Sequence, residues 1–343
     1  MRFNAENAVF FRMWGRIRIP EFFMSLYFSL REKVRFNPIV QRLYYDAGNL
    51  RHSRRSPLVA RMESRARKVP GPAKGVAICT RIKDEAPYLE EWLEYYRAAG
   101  ASHAFVYESF SSDNFREVLN PYVEEGFVTL LADWPTIPVS PYAEEDCILR
   151  SINRYAWVGF FDVDEFLVSR DGVALEDLLA RYADQPGVGF HYYMYGTSGH
   201  MTRPTGPVIR SFIRHEAEPD RHVKVFVQPH AVTRYRNAHS WFYKNMRHAV
   251  TEAGDPLYGS FSLKCVVKNA FLAHFYSKSE EEYLAKARKS EAVDKVAMKF
   301  RRRSEEKLRE NLDRWNQIED LAVQDYYRKR CAILGKDPVL LRP

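Results

Sequence analysis

The sequence predicts an α/β protein built around a mostly parallel β-sheet with helices on both faces. Two observations lead to this fold class. Short apolar segments typical of strands alternate with amphipathic segments typical of helices between residues 75 and 161. The chain has 343 residues, of which 46% are hydrophobic, so it is long and apolar enough to bury a large core. One large domain or two ordinary domains are therefore expected.

The alternating elements follow one another closely along the first part of this region. We predict strands at residues 75–80, 103–107, 127–131 and 157–161. We predict helices at residues 86–99, from Ser112 to a limit set by Pro121, and at residues 143–153. Strands that are joined through helices run parallel, so these elements predict a Rossmann-like sheet.

Beyond residue 166 the pattern becomes mixed. A short helix is predicted at 175–182, and strands are predicted at 188–193, 208–213 and 223–227. Residues 280–332 are strongly helical, with an apolar face that we assign to core packing. The members of that face are Leu308, Leu312, Trp315, Ile318, Leu321 and Ala322. We therefore divide the chain into a basic segment and linker at 1–72, a main domain at 73–280 and a C-terminal helical extension at 281–343.

The positive charge of the chain is concentrated near its beginning. Residues 1–70 contain 15 Lys and Arg against 5 Asp and Glu, whereas the net charge of the whole chain is +8. A basic arm on a near-neutral body argues against nucleic acid as a partner. Residues 8–35 combine an apolar helical face with arginines, which suits either an anionic membrane surface or packing on the main domain.

The remaining composition predicts a cytoplasmic protein. The longest uncharged run of the N-terminal segment, residues 22–30, is too short to span a bilayer, and no signal-peptide cleavage site follows it. The four cysteines lie far apart with no C-x-x-C spacing, which argues against a disulfide framework and a zinc site. Peripheral contact with the inner face of the cytoplasmic membrane stays open through residues 8–35.

Three carboxylates follow the fourth predicted strand within four residues. Asp162, Asp164 and Glu165 come directly after an apolar, aromatic run. Side chains alternate along a strand, so Asp162 and Asp164 are expected to point the same way. Two carboxylates on one side favour a hard divalent cation with oxygen ligands. The alternative is a strand end capped by solvated acids.

Further polar residues are expected at the same edge of the sheet. In parallel sheets ligands bind at the carboxyl ends of the strands. This rule brings the basic and acidic run Arg81-Ile82-Lys83-Asp84-Glu85 towards Glu108, Ser111, Asp113 and the acidic run. A phosphate ester bridged by a metal needs both kinds of charge. No G-x-G-x-x-G follows the first strand and no P-loop motif occurs, so neither kind of nucleotide site is supported.

The motifs together resemble the glycosyltransferase family 92 and family 2-like group of GT-A transferases. The resemblance rests on Thr80–Glu85 with Tyr88–Leu93, on Ser111–Asn114, on Asp133-Trp134-Pro135 and on the Asp-x-Asp block at 157–166. Later blocks follow in the same order: Gly196–His200, His222-Val223-Lys224, Asn237–His239 and His274–Ser279. The resemblance covers roughly residues 75–290. It implies a GT-A fold, in which a nucleotide-binding sheet is joined to a mixed acceptor half.

The resemblance also implies a chemistry and a set of site residues. It implies a nucleotide-sugar donor, UDP-linked in our interpretation, a Mn²⁺ or Mg²⁺ ion, and inversion at the anomeric carbon. The residues that would bind the nucleotide sugar are Thr80, Arg81, Lys83, Glu85, Glu108, Asp113, Asp162 and Lys278. The residues that would bind the metal are Asp162, Asp164 and His274. Glu108 stands where the group usually carries the shorter Asp or Asn, and Asp84 stands where it usually carries Asn. The longer acid at position 108 is a departure at the expected nucleobase contact.

The acceptor hydroxyl requires a general base, and several residues are candidates. His200 is the first choice because it lies in a glycine-flanked loop, and Glu216 or Glu218 is the second. Glu165 is nearer the expected metal and is assigned to orient the donor sugar. The acceptor is expected to be a glycan or a glycolipid, such as a bacterial surface polysaccharide or a lipid-linked glycan.

Two other functions fit part of the pattern. Asp162 and Asp164 after an apolar strand also suit a phosphatase of the haloacid dehalogenase type, in which the first Asp is the nucleophile. However, that group carries its motif near the start of the domain, and here three strand units precede it. A non-catalytic, membrane-associated scaffold of the same fold is the third alternative, and the intact acids argue against it.

Overall fold

The structure is a computed structural model of the whole chain. It describes residues 37–53, 56–68, 73–135, 142–262, 264–293 and 305–342. The side chains of residues 38, 51–53, 287–293 and 305–308 are outside that description. The predicted amphipathic helix at residues 8–35 lies outside the described residues and stays a prediction. None of the helices described in these ranges is long and apolar enough to cross a membrane.

The chain divides into two compact units, residues 1–44 and residues 45–343. The first helix, α1 (Pro38–Ser53), spans the division, and α2 (Pro57–Lys68) belongs to the second unit. Within the second unit Tyr45 and Asn49 both donate hydrogen bonds to the carbonyl of Arg247, at 2.9 and 3.3 Å. These bonds attach the two buried side chains of α1 to the segment that precedes β11.

The first half of the sheet is parallel, as predicted. Its strands are β1 (Val76–Ile82), β2 (His103–Glu108), β3 (Val128–Leu131) and β4 (Trp157–Phe160), in the spatial order β3-β2-β1-β4. The intervening helices are α3 (Ala86–Ala99), α4 (Phe115–Glu124) and α5 (Ala143–Ser151). Successive residues of β1 alternate between the two hydrophobic cores, since Val76 and Ile78 belong to one and Ala77 and Cys79 to the other. Both faces of this half are therefore covered.

The second half of the sheet is mixed. In chain order its elements are β5 (Glu165–Ser169), α6 (Leu175–Ala180), β6 (Gly187–Met194), α7 (Val208–Ser211), β7 (Arg214–His215), β8 (Asp220–Val227), β9 (Val232–Asn237), β10 (Ser240–Tyr243), β11 (Ala249–Thr251), β12 (Pro256–Leu257) and β13 (Ala270–His274). β8 lies antiparallel between β4 and β6, and β13 runs parallel to β6 and antiparallel to β5. This arrangement places the end of β13 beside the start of β5.

The C-terminal elements pack on the main domain. They are α8 (Glu280–Val293), α9 (Glu305–Arg314), β14 (Ile318–Glu319) and α10 (Ala322–Ile333). Tyr327 of α10 stacks on Tyr95 of α3 with ring centroids 5.9 Å apart, and Arg330 donates to the carbonyl of Ala98 at 3.1 Å. β14 pairs with β7. The predicted division at residue 281 stays a prediction, and α8 itself extends to the site described below.

Three of the predictions were wrong. Residues 280–332 are not helical throughout, because β14 interrupts them, and Ile318 and Leu321 of the predicted core-packing face are 43% and 46% exposed. Residues 208–213 were expected to form a strand, but Val208–Ser211 form the short helix α7. The buried carboxylate of Glu91 accepts hydrogen bonds from the amides of Val208 and Ile209, both at 2.7 Å, and so satisfies the amino end of this helix. The second helix begins at Phe115 instead of Ser112 and continues past Pro121 to Glu124. Pro121 lies in its interior.

Candidate functional site

The acidic run lies at the carboxyl edge of the parallel half-sheet, in the turn between β4 and β5. The amide of Asp162 donates to Oε2 of Glu165 at 2.9 Å, which closes the turn on itself. The amide of Phe275 donates to the carbonyl of Asp164 at 2.8 Å and joins the turn to the end of β13. Tyr96 of α3 donates its hydroxyl to the carbonyl of Glu165 at 3.1 Å. The turn is therefore fixed from three directions.

A buried lysine supports the acidic turn from the neighbouring strand. Lys224 of β8 lies 3.0 Å from Oδ2 of Asp162 and 3.0 Å from Oε2 of Glu165. The side chains of Lys224 and Glu165 are almost completely buried, whereas that of Asp162 is 61% exposed. Burial disfavours a charged lysine, but the two carboxylates outweigh burial and raise the pKa of Lys224. Lys224 is thus a fixed cation beneath Asp162.

Three cationic or ionisable side chains surround the buried carboxylate of Asp164. Lys286 Nζ lies 3.1 Å and Lys278 Nζ 3.7 Å from Oδ2, and His274 Nε2 lies 3.5 Å from Oδ1. Burial raises the pKa of Asp164, but the two lysines and His274 more than compensate and hold it well below its ordinary value. Asp164 is therefore a carboxylate at neutral pH.

Burial has the opposite net effect on Glu165. It raises the pKa of Glu165 to about 7, because the attraction of Lys224 is not sufficient to offset desolvation and the repulsion of Asp162. The pKa of Asp162 itself stays below its ordinary value, since Lys224 outweighs its partial desolvation. The turn thus combines two ionised aspartates with a glutamate that titrates near neutrality.

The donor set suits a hard divalent cation. Among the described residues, no group of three or more His, Cys, Asp or Glu is already gathered as a metal site. Asp162, Asp164 and His274 nevertheless supply oxygen and imidazole donors next to one another. Nδ1 of His274 lies 3.8 Å from Oε1 of Glu165, and neither buried atom has a hydrogen-bond partner. In metal sites, a carboxylate next to the ring nitrogen that does not bind the metal orients the imidazole. Glu165 lies in this position beside His274, so the residues present fit a divalent cation.

The loops at the carboxyl ends of β1, β2 and β3 are joined by contacts between predicted donor-binding residues and backbone atoms. Oε2 of Glu108 accepts the amide of Asp133 at 3.1 Å, and Oε1 accepts the amide of Ser111. Oδ2 of Asp113 accepts the amide of Ala86 at 2.7 Å and thereby caps the amino end of α3. Lys83, which follows β1, donates to the carbonyls of Ser109 and Phe110 in the loop after β2, at 3.4 and 3.3 Å. These side chains therefore connect the loops that follow β1 and β2.

Three other predicted donor-binding residues lie on β1 or between β1 and α3. The hydroxyl oxygen of Thr80 is buried and has no hydrogen-bond partner, and Arg81 lies 3.8 Å from Glu144. Glu85 stands at the amino end of α3. Burial raises the pKa of Glu85 despite the nearby charge of Lys278. The charges of Asp162 and Asp164 also act on Glu85, so the residue belongs to the electrostatic environment of the acidic turn.

The residues considered as general base make their direct contacts with parts of the chain other than the acidic turn. His200 donates from Nε2 to the carbonyl of Ser211 at 3.0 Å, so its lone pair is on Nδ1. Glu216 accepts the amide of Met194 at 3.0 Å, and burial raises its pKa to about 7. Neither residue makes an ion pair with Asp162 or Asp164 in the part of the chain that the structure describes. The charge of Glu218 acts on Tyr193 and Cys265.

Sequence reasoning missed three features of this region. Lys224 and Lys286 were not assigned to the site, although a lysine inside the apolar run 223–227 was a signal for the first of them. The third feature is a carboxylate–imidazole pair in which Oδ1 of Asp220 lies 2.5 Å from Nδ1 of His222. His222 stacks on Tyr192, whose ring meets that of His274 edge-on at 5.3 Å. This pair is therefore linked through one aromatic ring to the site around Asp164.

The half-parallel, half-mixed sheet and the acidic turn at its carboxyl edge define a protein with the GT-A fold. The family model of glycosyltransferase family 92 matches residues 74–322. The chain therefore belongs to glycosyltransferase family 92, as the sequence motifs predicted.

Similar proteins were found among curated sequences. A glycosyltransferase family 92 protein of Oryza sativa subsp. japonica is 31% identical over 163 residues, which cover 47% of this chain and 28% of that protein. One of Arabidopsis thaliana is 30% identical over 171 residues, which cover 46% of this chain and 29% of that protein. The matched region thus spans less than a third of the length of these relatives.

Two of the solved structures that are similar to part of this chain are complexes with a nucleotide sugar. One is the mannosyltransferase PcManGT from Pyrobaculum calidifontis in complex with GDP-Man and Mn²⁺, with 18% identity, 44% of this chain and 46% of that chain covered, and a TM-score of 0.29. The other is S. aureus TarS 1–349 in complex with UDP-GlcNAc, with 10% identity, 45% of each chain covered and a TM-score of 0.30.

Proposed function

We propose that the chain transfers a sugar from a nucleotide-sugar donor, UDP-linked, to a hydroxyl group of a glycan or a lipid-linked acceptor. The observation that carries the proposal is the cluster at Asp164, where one buried carboxylate is surrounded by Lys278, Lys286 and His274. Acids and lysines at one sheet edge suit a diphosphate held together with a divalent cation. Membership of glycosyltransferase family 92 supports the same chemistry.

In this proposal Asp162, Asp164 and His274 hold Mn²⁺ or Mg²⁺ at the acidic turn. The cation supplies charge stabilisation for the departing diphosphate. Lys278 is 3.7 Å from Asp164 and its ammonium lies 4.2 Å from the centre of the Tyr88 ring, so it is held where a phosphate oxygen can meet it. Lys224 keeps Asp162 ionised and in place through the 3.0 Å contact.

The remaining donor-binding residues lie on β1 and β2 and in the loops that follow these strands. We propose that Thr80, Arg81, Lys83 and Glu85 line the nucleotide pocket, with Glu108 and Asp113 shaping its rim. The hydrogen bonds of Glu108 and Asp113 to backbone amides favour this indirect role. Direct contact of Asp113 with the donor stays part of the proposal through Oδ1, which is buried without a hydrogen-bond partner.

A single displacement at the anomeric carbon inverts its configuration and needs a base for the acceptor hydroxyl. We retain His200 as first candidate and Glu216 as second. The pair formed by Asp220 and His222 is a third, because a carboxylate on Nδ1 orients an imidazole for proton transfer through Nε2. Glu165 is proposed as a positioning residue, since its carboxylate binds the amide of Asp162 and Lys224.

The proposal is tested by incubating the purified chain with a panel of UDP- and GDP-sugars and Mn²⁺. We expect release of nucleotide that is abolished by a chelator and by Asp164→Asn. Asp325→Asn is the matched control, because Asp325 is an exposed carboxylate of α10 that pairs with Arg328. If no donor is bound or hydrolysed while a generic phosphate ester is cleaved, the phosphatase alternative replaces this proposal.

The basic N-terminal segment is the part of the chain that we connect with access to the acceptor. We propose that residues 8–35 bring the chain to an anionic membrane surface, where a lipid-linked or surface glycan would be available. The proposal rests on the sequence pattern and on the cytoplasmic location that the pattern predicts. Deletion of residues 1–35 should lower binding to vesicles that contain phosphatidylglycerol. Unchanged vesicle binding would instead favour packing of this segment on the body.

A further inference from the structure

Lys286 meets the site from α8, a helix of the predicted C-terminal extension. Its ammonium nitrogen lies 3.1 Å from Oδ2 of Asp164 and 3.4 Å from the carbonyl of Tyr276. It also lies 3.9 Å from the centre of the Tyr276 ring. The Tyr276 contacts give the ammonium a resting place that does not depend on Asp164. Lys286 is therefore positioned by its own surroundings as well as by the carboxylate.

Two lysine ammonium groups lie near Oδ2 of Asp164, although one positive charge is enough to neutralise a carboxylate. Both Lys278 and Lys286 approach the same oxygen, at 3.7 and 3.1 Å. The two lysines differ in their access to water, because the side chain of Lys278 is 9% exposed and that of Lys286 is 43% exposed. A lysine whose side chain is partly exposed can move its ammonium from a carboxylate into water, whereas a buried lysine would leave its charge without a partner. Lys286 is thus the cation that is able to change partners.

A divalent cation on Asp164 would make the present position of Lys286 unfavourable. Like charges a few ångströms apart repel strongly in a partly buried site. A donor diphosphate brings negative charge to the same place, and an ammonium is a strong ligand for phosphate oxygens. Together these forces move Lys286 from the carboxylate to the diphosphate.

We propose that Lys286 is a diphosphate-binding residue that neutralises Asp164 in the donor-free protein and turns to the donor diphosphate when a divalent cation engages Asp164. This inference rests on the proposed function. The proposal has a thermodynamic consequence. When the metal binds without a nucleotide, it must displace the ammonium of Lys286 from Asp164 with no diphosphate to receive that ammonium. Metal and nucleotide diphosphate therefore bind with positive coupling, and Lys286 carries part of that coupling.

The inference is tested by calorimetry on the full chain with Mn²⁺ alone, with UDP alone and with Mn²⁺ at saturating UDP, and GDP is used in parallel. In Lys286→Met we expect Mn²⁺ alone to bind about fivefold tighter or more. We expect UDP in the presence of Mn²⁺ to bind about fivefold more weakly or more, so that the coupling decreases. Lys286→Arg should retain most of the coupling because it keeps a phosphate-binding cation.

Lys264→Met is the matched control, since Lys264 is 74% exposed and pairs with Asp255 away from the acidic turn. Thermal melting of each variant verifies that the fold is intact. If Lys286→Met binds Mn²⁺ and UDP as the wild type does, the role of Lys286 is wrong and the proposed function stands. If the wild type binds neither Mn²⁺ nor UDP nor GDP, both proposals are overturned.

Discussion

The ammonium nitrogen of Lys224 lies 3.0 Å from Oε2 of Glu165, and both side chains are buried beneath the acidic turn. Removal of one partner from a buried ion pair leaves an uncompensated charge, which is costly. Glu165 differs from an ordinary buried carboxylate because its pKa is already about 7. It can therefore lose its charge near neutrality when the lysine is absent.

From this relationship we predict that Lys224→Met destabilises the fold by about 3 kcal/mol at pH 8 and by clearly less at pH 5.5. The pKa of Glu165 in the folded variant rises further above its unfolded value of 4.5. For an acid with a raised pKa, the folded state becomes less stable as the pH rises between the unfolded and folded values. Urea unfolding at the two pH values measures the difference.

The double variant Lys224→Met/Glu165→Gln is the control for this prediction. It removes the orphaned carboxylate, so its stability should exceed that of Lys224→Met at pH 8 and should not depend on the titration of Glu165. Equal destabilisation of Lys224→Met at pH 5.5 and pH 8 would contradict the role assigned to Glu165.

The acidic turn and Lys278 were predicted from the sequence, whereas the two other lysines that contact the turn, Lys224 and Lys286, were not assigned to the site. Asp162 and Asp164 are visible because they follow an apolar strand directly. Lys224 is 62 residues and Lys286 122 residues from the carboxylates they contact, so only the folded sheet and α8 bring them together. From the sequence, Lys286 in a highly charged helix is interpreted only as part of a solvated or phosphate-facing surface, because its contact with Asp164 is not visible along the chain.

The parallel half-sheet was predicted more fully than the mixed half. β1 to β4 carry continuous apolar runs separated by amphipathic helices, which is a local signal. Val208–Ser211 carry an apolar, β-branched run as well, yet they form a helix because the distant Glu91 binds the amides at its start. A tertiary partner of this kind overrides local propensity and is invisible along the chain.

Asp113 offers a test that separates a structural role from donor binding. Its Oδ2 caps α3 through the 2.7 Å bond from the amide of Ala86, and no side chain at the N-cap position Glu85 does so. Asp113→Ala should therefore lower the free energy of unfolding by about 1 kcal/mol. Asp113→Asn should lose less, because the amide oxygen still accepts the bond. Urea unfolding of both variants measures this.

The same pair of variants also reports on the nucleotide pocket. If Asp113 only shapes the pocket, the UDP affinity of Asp113→Asn should equal that of the wild type. A tenfold or larger loss of UDP affinity in this stable variant would instead assign Asp113 to direct donor contact, as the sequence predicted.

The general base is identified by separating donor binding from transfer. We predict that His200→Gln retains UDP affinity and lowers kcat by roughly 10² or more, the usual contribution of a positioned base. Glu216→Gln and His222→Gln are measured beside it, because each removes an alternative candidate without changing the contacts of Asp164. Calorimetry gives the affinity, and transfer to an identified acceptor gives kcat.

The outcome assigns the base to one residue. Full transfer activity in His200→Gln would remove it, and a selective loss in His222→Gln would point to the pair with Asp220. A decrease of UDP affinity in any of the three variants would show that the substituted residue supports the donor site instead.

His239, which follows β9, is expected to be a structural histidine that stays neutral. Nδ1 donates to the carbonyl of Val223 at 2.9 Å in β8. Burial, assisted by the charge of Lys224, lowers the pKa of His239 to about 3. The unfolded chain binds a proton on this residue near pH 6.5, whereas the folded chain does not.

We therefore predict that the wild type loses stability relative to His239→Asn as the pH falls from 6.5 towards 4.5, by on the order of 2 kcal/mol. The sign follows from the unfolded state binding more protons in this range, so that acid favours unfolding of the wild type. Asn keeps a donor at the place of Nδ1 and does not titrate, which makes it the matched replacement. Urea unfolding curves at pH 6.5, 5.5 and 4.5 measure the difference, and parallel pH profiles of the two proteins would contradict a neutral, half-buried His239.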